Sequence, residues 1–485
     1  MTVIFQYVLM AAPLLLRWAL ILYVLYAVIA SSLPCLPYMR AHAGKPNPFV
    51  NTNYYGNGTA GPDRIALLES PVEGLGIRLQ LFRTATRTLD VVLHTIHEGV
   101  STHAFFDGLQ QAANRGVRVR ILLDGKASSI RPSVNTLMKA LDGHENIEVR
   151  RYNPINLLTP WKWHFLMHDK FIVVDGEYLL LGGRNLGDKF FAVDGYSGKL
   201  SNDRDVLVWK ADQSQPEGAS VVDQAGTYMN SLWDYEDTRP MSGRAMRTAR
   251  RDEMLAELHA TAQQFEETHP AYFRVSLSQY LSLSETTRKI TLIFNPIETC
   301  RKEPWIGEQM IRMATGAKES VMLQTPYITA NRTILYGLEK VAKNVNLSVL
   351  TNSAASTPNY PAYSNYYSQR QKFIDTGAQI YEYQSRHSIH GKAMTVDGRL
   401  GIVGSFNLDD RSMHLDTEIM MVVDSESFTG KLTGAIEEYK AQSLRVNAAN
   451  EYDIPEGTEQ ETVPTFKTSL LMFVALFSTP LRAFI

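Results

Sequence analysis

One arrangement of residues occurs twice in this chain and limits what it can fold into more than any bulk property does. His168-Asp169-Lys170 is followed by Asp175 and by Gly182-Gly183-Arg184-Asn185, and His390-Gly391-Lys392 by Asp397 and by Gly404-Ser405-Phe406-Asn407. In both copies Lys stands two after His, Asp five after Lys and Gly seven after Asp. The chain must build one local structure twice.

That local structure is expected to be a hairpin. Lys170-Phe-Ile-Val-Val-Asp175 and Lys392-Ala-Met-Thr-Val-Asp397 are short, apolar and β-branched. A turn follows at Gly176 or Gly398, and a second apolar run leads to the Gly-x-x-Asn corner. Residues two apart on a strand share a face, so His and Lys of each copy project together. These residue types suit a phosphodiester. One imidazole attacks phosphorus, a second, protonated one gives its proton to the departing alkoxide, and lysine and amide groups hold the phosphoryl oxygens. Asp175 and Asp397 count with the catalytic motif, yet each ends a strand at a turn, which points to a structural duty.

The duplicated pattern resembles the signature of the phospholipase D superfamily, His-x-Lys-x4-Asp-x6-Gly-x2-Asn in two copies. Further stretches resemble the bacterial cardiolipin synthases, particularly their C-type subgroup: Arg115-Gly-Val-Arg-Val-Arg-Ile-Leu-Leu-Asp124, Gly182-Gly-Arg-Asn-Leu-Gly-Asp188, Thr351-Asn-Ser353 and Gly404-Ser-Phe-Asn-Leu-Asp-Asp-Arg-Ser412. The resemblance covers roughly residues 60 to 450. It implies that His168 is the nucleophile and His390 the general acid and later the base. It places Lys170, Lys392, Asn185, Asn407 and Ser405 on phosphate. Asp205 and Glu418, each opening an apolar run, match the acids that orient each imidazole through its other nitrogen. Gly183 stands where many members have Ser, so one hydroxyl contact is missing.

The implied reaction forms a phosphatidyl-histidine from phosphatidylglycerol, which a second phospholipid's hydroxyl resolves. Resolution by water would make the chain a phospholipase D. A nuclease and a scaffold without turnover are the other readings. No metal or other cofactor is expected: His164 with His168, and His387 with His390, have ligand-like spacing, but no Cys or carboxylate cluster accompanies them. Tyr327, Asn352 and Ser353 are candidates either to line the cleft or to pack and cap locally.

At 485 residues with 45% apolar content the chain can bury more than one core. The expected class is α/β, with two phospholipase D-type lobes, each a mixed β-sheet flanked by helices, related by a pseudo-twofold axis. Strand, helix and strand at 88–95, 102–113 and 117–123 repeat at 320–323, 334–342 and 347–350, which suggests a parallel-type sheet in each lobe. The lobes are expected at 60–215 and 286–450, with a helical connector and possible cleft cover at 216–285. A loop entering a helix is expected at 351–370.

The ends differ from the body. Residues 3–37 carry one charge, Arg17, and 18–36 are about long enough to cross a bilayer core. Residues 1–45 therefore read as a membrane segment, with a cleavable signal ending near Ala30-Ser31 as the alternative. Arg17 on one side and Arg40 and Lys45 on the other give a small bias toward a cytoplasmic catalytic body at a bacterial inner membrane. In the tail, 451–485, the apolar stretch 469–477 is too short to span, so it either lies at the interface or packs as a terminal helix. With 48 basic and 50 acidic side chains and no dense basic tract, nucleic acid is not an expected partner, and phospholipid and membrane are. Two Cys exclude a disulfide framework.

Overall fold

Both hairpins form, and their turn residues explain why. In the computed structural model, which describes residues 2–36, 44–241 and 246–478, Phe171–Val174 pairs antiparallel with Tyr178–Gly182, and Lys392–Val396 with Leu400–Gly404. Asp175 and Gly176 have φ of 54° and 68°, and Asp397 and Gly398 of 52° and 61°. Two successive left-handed residues reverse the chain, and the registers Val174 with Tyr178 and Val396 with Leu400 leave three residues in each loop. The aspartates hold these turns in place. Asp175 accepts the N–H groups of Thr86, Arg87 and Thr88 at 2.7–2.8 Å, and Asp397 those of Lys318, Glu319 and Ser320 at 2.8–3.1 Å. Their place in the catalytic set is corrected here. Each lies at the far end of its strand, about 16 Å from the lysine of its motif, and each carboxylate is used up by backbone donors.

Each hairpin sits in a nine-stranded sheet. The first runs in the order Glu285–Thr286, Asp63–Leu68, Asp205–Lys210, Tyr178–Gly182, Phe171–Val174, Thr88–Leu93, Arg118–Asp124, Ile147–Tyr152 and Thr238–Pro240. The second runs Lys289–Phe294, Ile419–Asp424, Leu400–Gly404, Lys392–Val396, Ser320–Gln324, Asn346–Asn352, Gln379–Tyr383, Ser443–Val446 and Tyr452–Asp453. From Asp63–Leu68 and Lys289–Phe294 onward the two orders coincide. Only Thr88–Leu93, Arg118–Asp124 and Ile147–Tyr152, with their counterparts in the second sheet, are parallel. The sheets are mixed rather than parallel throughout because so short a turn joins only antiparallel strands.

Helices such as Val100–Asn114 and Arg332–Ala342 cover the outer faces and enclose one apolar core per lobe. A third core lies between the lobes. It takes Val92, Val206 and Val208 from one sheet, Ile290, Val403 and Met421 from the other, and Tyr228 and Leu432 from helices Val221–Trp233 and Glu426–Lys440. The expected connector divides. Val221–Trp233 joins this middle core, whereas Thr248–Thr268 packs through Leu255, Leu258 and Phe265 into the outer core of the first lobe instead of covering a cleft. Phe49 and Tyr54, which precede the first lobe in sequence, are buried in the second.

The N-terminal helix Thr2–Ser32 and the short turn Leu33–Cys35 after it carry an apolar stretch, Pro13–Cys35, long enough to cross a membrane, and most of it is exposed. It touches the body near its end: Tyr23 donates to the carbonyl of Leu157, and Cys35 is buried with Phe165 and Leu415. Helix Thr465–Ser478 packs Leu471 against Tyr360–Ser368 and leaves Phe466, Phe473 and Leu476 exposed. Packing and an outward apolar face thus coexist there. Arg40 and the last residues of the tail, 479–485, lie outside the described residues. Replacing Asp175 or Asp397 by Ala strands three backbone donors and leaves a left-handed residue without its anchor. Urea denaturation of either variant should show a loss of about 1–3 kcal/mol, with the turnover of the folded fraction retained.

Candidate active site

The two motif histidines meet at a seam where the lobes exchange strands. Ser388–Ile389 pairs in parallel with Ser201–Asn202, and Met167 bridges Thr417 in the same way. The next residue in each case is catalytic in type. His390 N–H donates to the carbonyl of Asn202 at 2.6 Å, and His168 N–H to that of Thr417 at 3.2 Å. One step further along the partner segments stand Asp203 and Glu418. His390 Nδ1 lies 2.5 Å from Asp203, and His168 Nδ1 2.9 Å from Glu418. Each imidazole is thus gripped by a carboxylate of the other lobe, which turns its Nε2 away from that carboxylate.

Asp205, the acid expected for the first copy, touches neither ring. It lies buried in a bidentate pair with Arg78 at 2.8 and 3.1 Å, and 3.2 Å from Arg184. The strand register explains the correction. Gly182 faces Asp205 as Gly404 faces Met420, so the counterpart of Glu418 is Asp203. In the second copy the apolar run begins directly after the acid; in the first, Arg204 and Asp205 intervene, and the run points to the wrong carboxylate. Gly183 has its reason in the same place. A Cβ there would lie 2.4 Å from Asp203 Oδ1. Glycine leaves room for Asp203, while its counterpart Ser405 donates to Glu418 at 2.5 Å. The expected phosphate contact from Ser405 is corrected too, since its single proton is committed to that carboxylate.

Lys170 and Lys392 reach back to the carbonyls of His168 and His390, and Lys392 Nζ lies 3.2 Å from His390 Nε2. Asn185 is held through its Oδ1 by the N–H of Thr95 at 3.3 Å, leaving its NH2 as a donor, and Asn407 Oδ1 is buried with no hydrogen bond to described residues. His94 was not singled out by its sequence context. Its ring packs edge-on against His168 at 4.7 Å, and its Nδ1 lies 2.8 Å from the carbonyl of Met167. Only pairing of its strand with the motif strand brings it there. Tyr327 and Phe190 flank His390 at 6.2 and 5.8 Å between ring centres. Asn352 brackets Ile389, accepting its N–H and donating to its carbonyl, and Ser353 caps its own turn.

The site crowds cationic groups that burial disfavours. Burial pushes Lys170 down to about 7, with Glu418 opposing and Lys392 assisting, and Lys392 down to about 8 against the pull of Asp203 and Glu418. Burial and then the charge of Lys392 bring His390 down to about 4, and burial and Lys170 hold His168 well below its usual range. Burial alone would raise Asp203, but the charges of His390 and Lys392 keep it well below the usual carboxylate range. Burial does push Glu418 up, while Lys170, Ser405 and Ser412 favour its anion. Burial thus leaves both imidazoles and both lysines short of the negative charge that would hold their protons. A bound phosphodiester supplies that charge and raises the pKa of every cation around it.

Two outcomes follow. Affinity for a diester that stays monoanionic should be highest below about pH 7 and fall as pH rises through the free values of Lys170 and Lys392, about 7 and 8, with proton uptake on binding. Calorimetry in buffers of differing ionisation enthalpy measures both. Asp203→Asn should cut phosphodiester turnover about 10- to 100-fold at unchanged melting temperature. Asp205→Asn should instead destabilise the fold by about 3 kcal/mol.

A family model described as "Cardiolipin synthase, PLD-like domain" matches residues 79–233 and 310–440, more than half of the chain. Cardiolipin synthase C of Escherichia coli K12 is 28% identical over 403 residues, covering 74% of this chain and 81% of that protein. An uncharacterized protein of Helicobacter pylori J99 is 27% identical over 439 residues, covering 81% of this chain and 82% of that one. The crystal structure of phosphatidylserine synthase from Haemophilus influenzae Rd KW20 superposes with a TM-score of 0.62 at 14% identity, covering 87% of this chain and 95% of that one, so the two share a fold. With duplicated motif, repeated sheets and a match over both lobes, this chain belongs to the cardiolipin synthase family of phospholipase D-like proteins.

Proposed function

We propose that this protein is a membrane-bound phosphatidyltransferase that makes cardiolipin from phosphatidylglycerol and a second phospholipid. The observation that carries the reading is the exchanged pair of imidazoles, each with Nδ1 on a carboxylate of the opposite lobe and a lysine beside it. His168 Nε2 bonds to phosphorus and the bond from phosphorus to the glycerol oxygen breaks. That oxygen takes a proton from His390. The acceptor's hydroxyl then returns a proton to His390 as its oxygen bonds to phosphorus and the nitrogen–phosphorus bond breaks. Lys170, Lys392 and the amide of Asn185 hold the phosphoryl oxygens through both steps. Asp203 and Glu418 fix the tautomers and offset the imidazolium charge that each step creates.

Transfer is favoured over hydrolysis by where the apolar helix ends. Cys35 packs on Phe165, three residues before His168, so the span Pro13–Cys35 delivers the bilayer surface to the site. Acceptor lipid is concentrated there and competes with water for the intermediate. A bacterial cytoplasmic membrane is the matching location. In His390→Ala protein mixed with phosphatidylglycerol, peptide mapping should find a phosphoryl adduct on His168, accumulating because the base that activates the acceptor is gone. An adduct on His390 in the reciprocal His168→Ala protein, with none on His168, would reverse the two roles. Full-length protein in phosphatidylglycerol bilayers should release glycerol and yield cardiolipin. Phosphatidic acid as sole product would replace the synthase by a phospholipase D.

A further inference from the structure

The lobes differ in the loop that follows each motif asparagine. Between the motif asparagine and the imidazole-holding acid lie 17 residues in the first lobe, 186–202, and 10 in the second, 408–417. The longer loop helps to build a cavity of about 380 Å³ lined by His97, Glu98, Arg131, Asp188, Lys189 and Tyr196. The second lobe treats the equivalent cation differently. Counting from the asparagines, Lys189 corresponds to Arg411, and Arg411 is neutralised by Asp416 at 2.8 Å. Lys189 is half-buried and, among the described residues, forms no ion pair; its ammonium stands 5.0 Å over the ring of Phe190. Arg131 donates to the carbonyl of Ile96 and likewise meets no carboxylate. The two acids in the lining are held by neutral donors rather than by these cations: Asp188 accepts from the N–H groups of Val100 and Ser101 and the hydroxyl of Ser101, and Glu98 accepts from Ser133. The two cations are felt locally: burial and the charge of Arg131 lower Lys189, and burial followed by Lys189 and Arg131 brings His97 down to about 3.

Phe190 stands between the lining of this cavity and His390. His97 lies 5.9 Å from the Phe190 ring, which lies 5.8 Å from the ring of His390. Resting on the phosphatidyltransfer reading above, we infer that Lys189 and Arg131 form a second anion subsite, which takes the phosphate of the acceptor phospholipid while its hydroxyl is presented to His390. Chemistry separates this occupant from the donor's leaving group. Both alcohols pass His390, but the departing glycerol is neutral, whereas an acceptor phospholipid carries a phosphate a few bonds from its hydroxyl. Three carbons and two oxygens set those phosphorus atoms roughly 7 Å apart in the product. That span fits a cation pair one aromatic ring away from the reacting centre. Water carries no such charge, so the subsite biases the intermediate toward the lipid acceptor.

The test is the product ratio of full-length protein in phosphatidylglycerol vesicles. Lys189→Met keeps the stem over Phe190 and removes the charge; it should lower the ratio of cardiolipin to phosphatidic acid about tenfold. Lys189→Gln must move the ratio the same way, and Lys189→Arg should restore most of it. Wild-type protein that makes cardiolipin, with Lys189→Met at the same ratio, overturns the subsite alone. A fall that Lys189→Arg shares in full overturns it as well. Wild-type protein that makes only phosphatidic acid removes the transferase reading and the subsite together.

Discussion

The exchanged imidazole–carboxylate contact is the constraint on which the rest depends. His168 finds its acid, Glu418, in the second lobe, and His390 finds Asp203 in the first. Neither lobe holds a complete site. A buried carboxylate without its partner is costly, so the lobes must be registered by something sturdier than the site itself. The short parallel pairings at Ser388–Ile389 and Met167, and the apolar core between the sheets, supply that registration. Helices Val221–Trp233 and Glu426–Lys440 lie in this middle core and lock the two sheets at one separation.

Within that symmetric frame the two halves are loaded differently. The second copy uses a longer acid, Glu418, steadied by two serine hydroxyls. The first uses the shorter Asp203, with Gly183 vacating the space and Arg184 donating to the carbonyl of the same residue. Arg78 and Asp205 then brace the corner from below. The two imidazoles therefore have different neighbours within matching backbones. The distinct surroundings of the rings point the same way: His94 beside His168, and Phe190 with Tyr327 beside His390.

The apolar ends are arranged on the same logic of position. The N-terminal helix meets the body at the segment that leads into His168, through Leu157 and Phe165. Leu157, Leu158 and Trp161 remain exposed beside it. A water-soluble domain has no use for apolar groups displayed so close to a reactive centre, and a domain that draws its substrate from a bilayer does.

The sequence alone determined the parts whose cause is local. The duplicated spacing set the two hairpins, because an Asp-Gly pair between β-branched runs has one favourable turn. His168, Lys170, His390 and Lys392 were legible because they sit on those hairpins. What lies across the chain was not. Asp203 and Asp205 flank Arg204, and only Asp205 opens the apolar strand, so apolar patterning favoured the wrong one; the register against Gly182 decides. Ser405 looked like a phosphate ligand until Glu418 folded onto it, and His94 looked like an ordinary strand end until its strand paired beside the motif. Short-range geometry is written in neighbouring residues. The partner of a buried charge is chosen by the register and packing of strands from two lobes, and only the tertiary structure contains that choice.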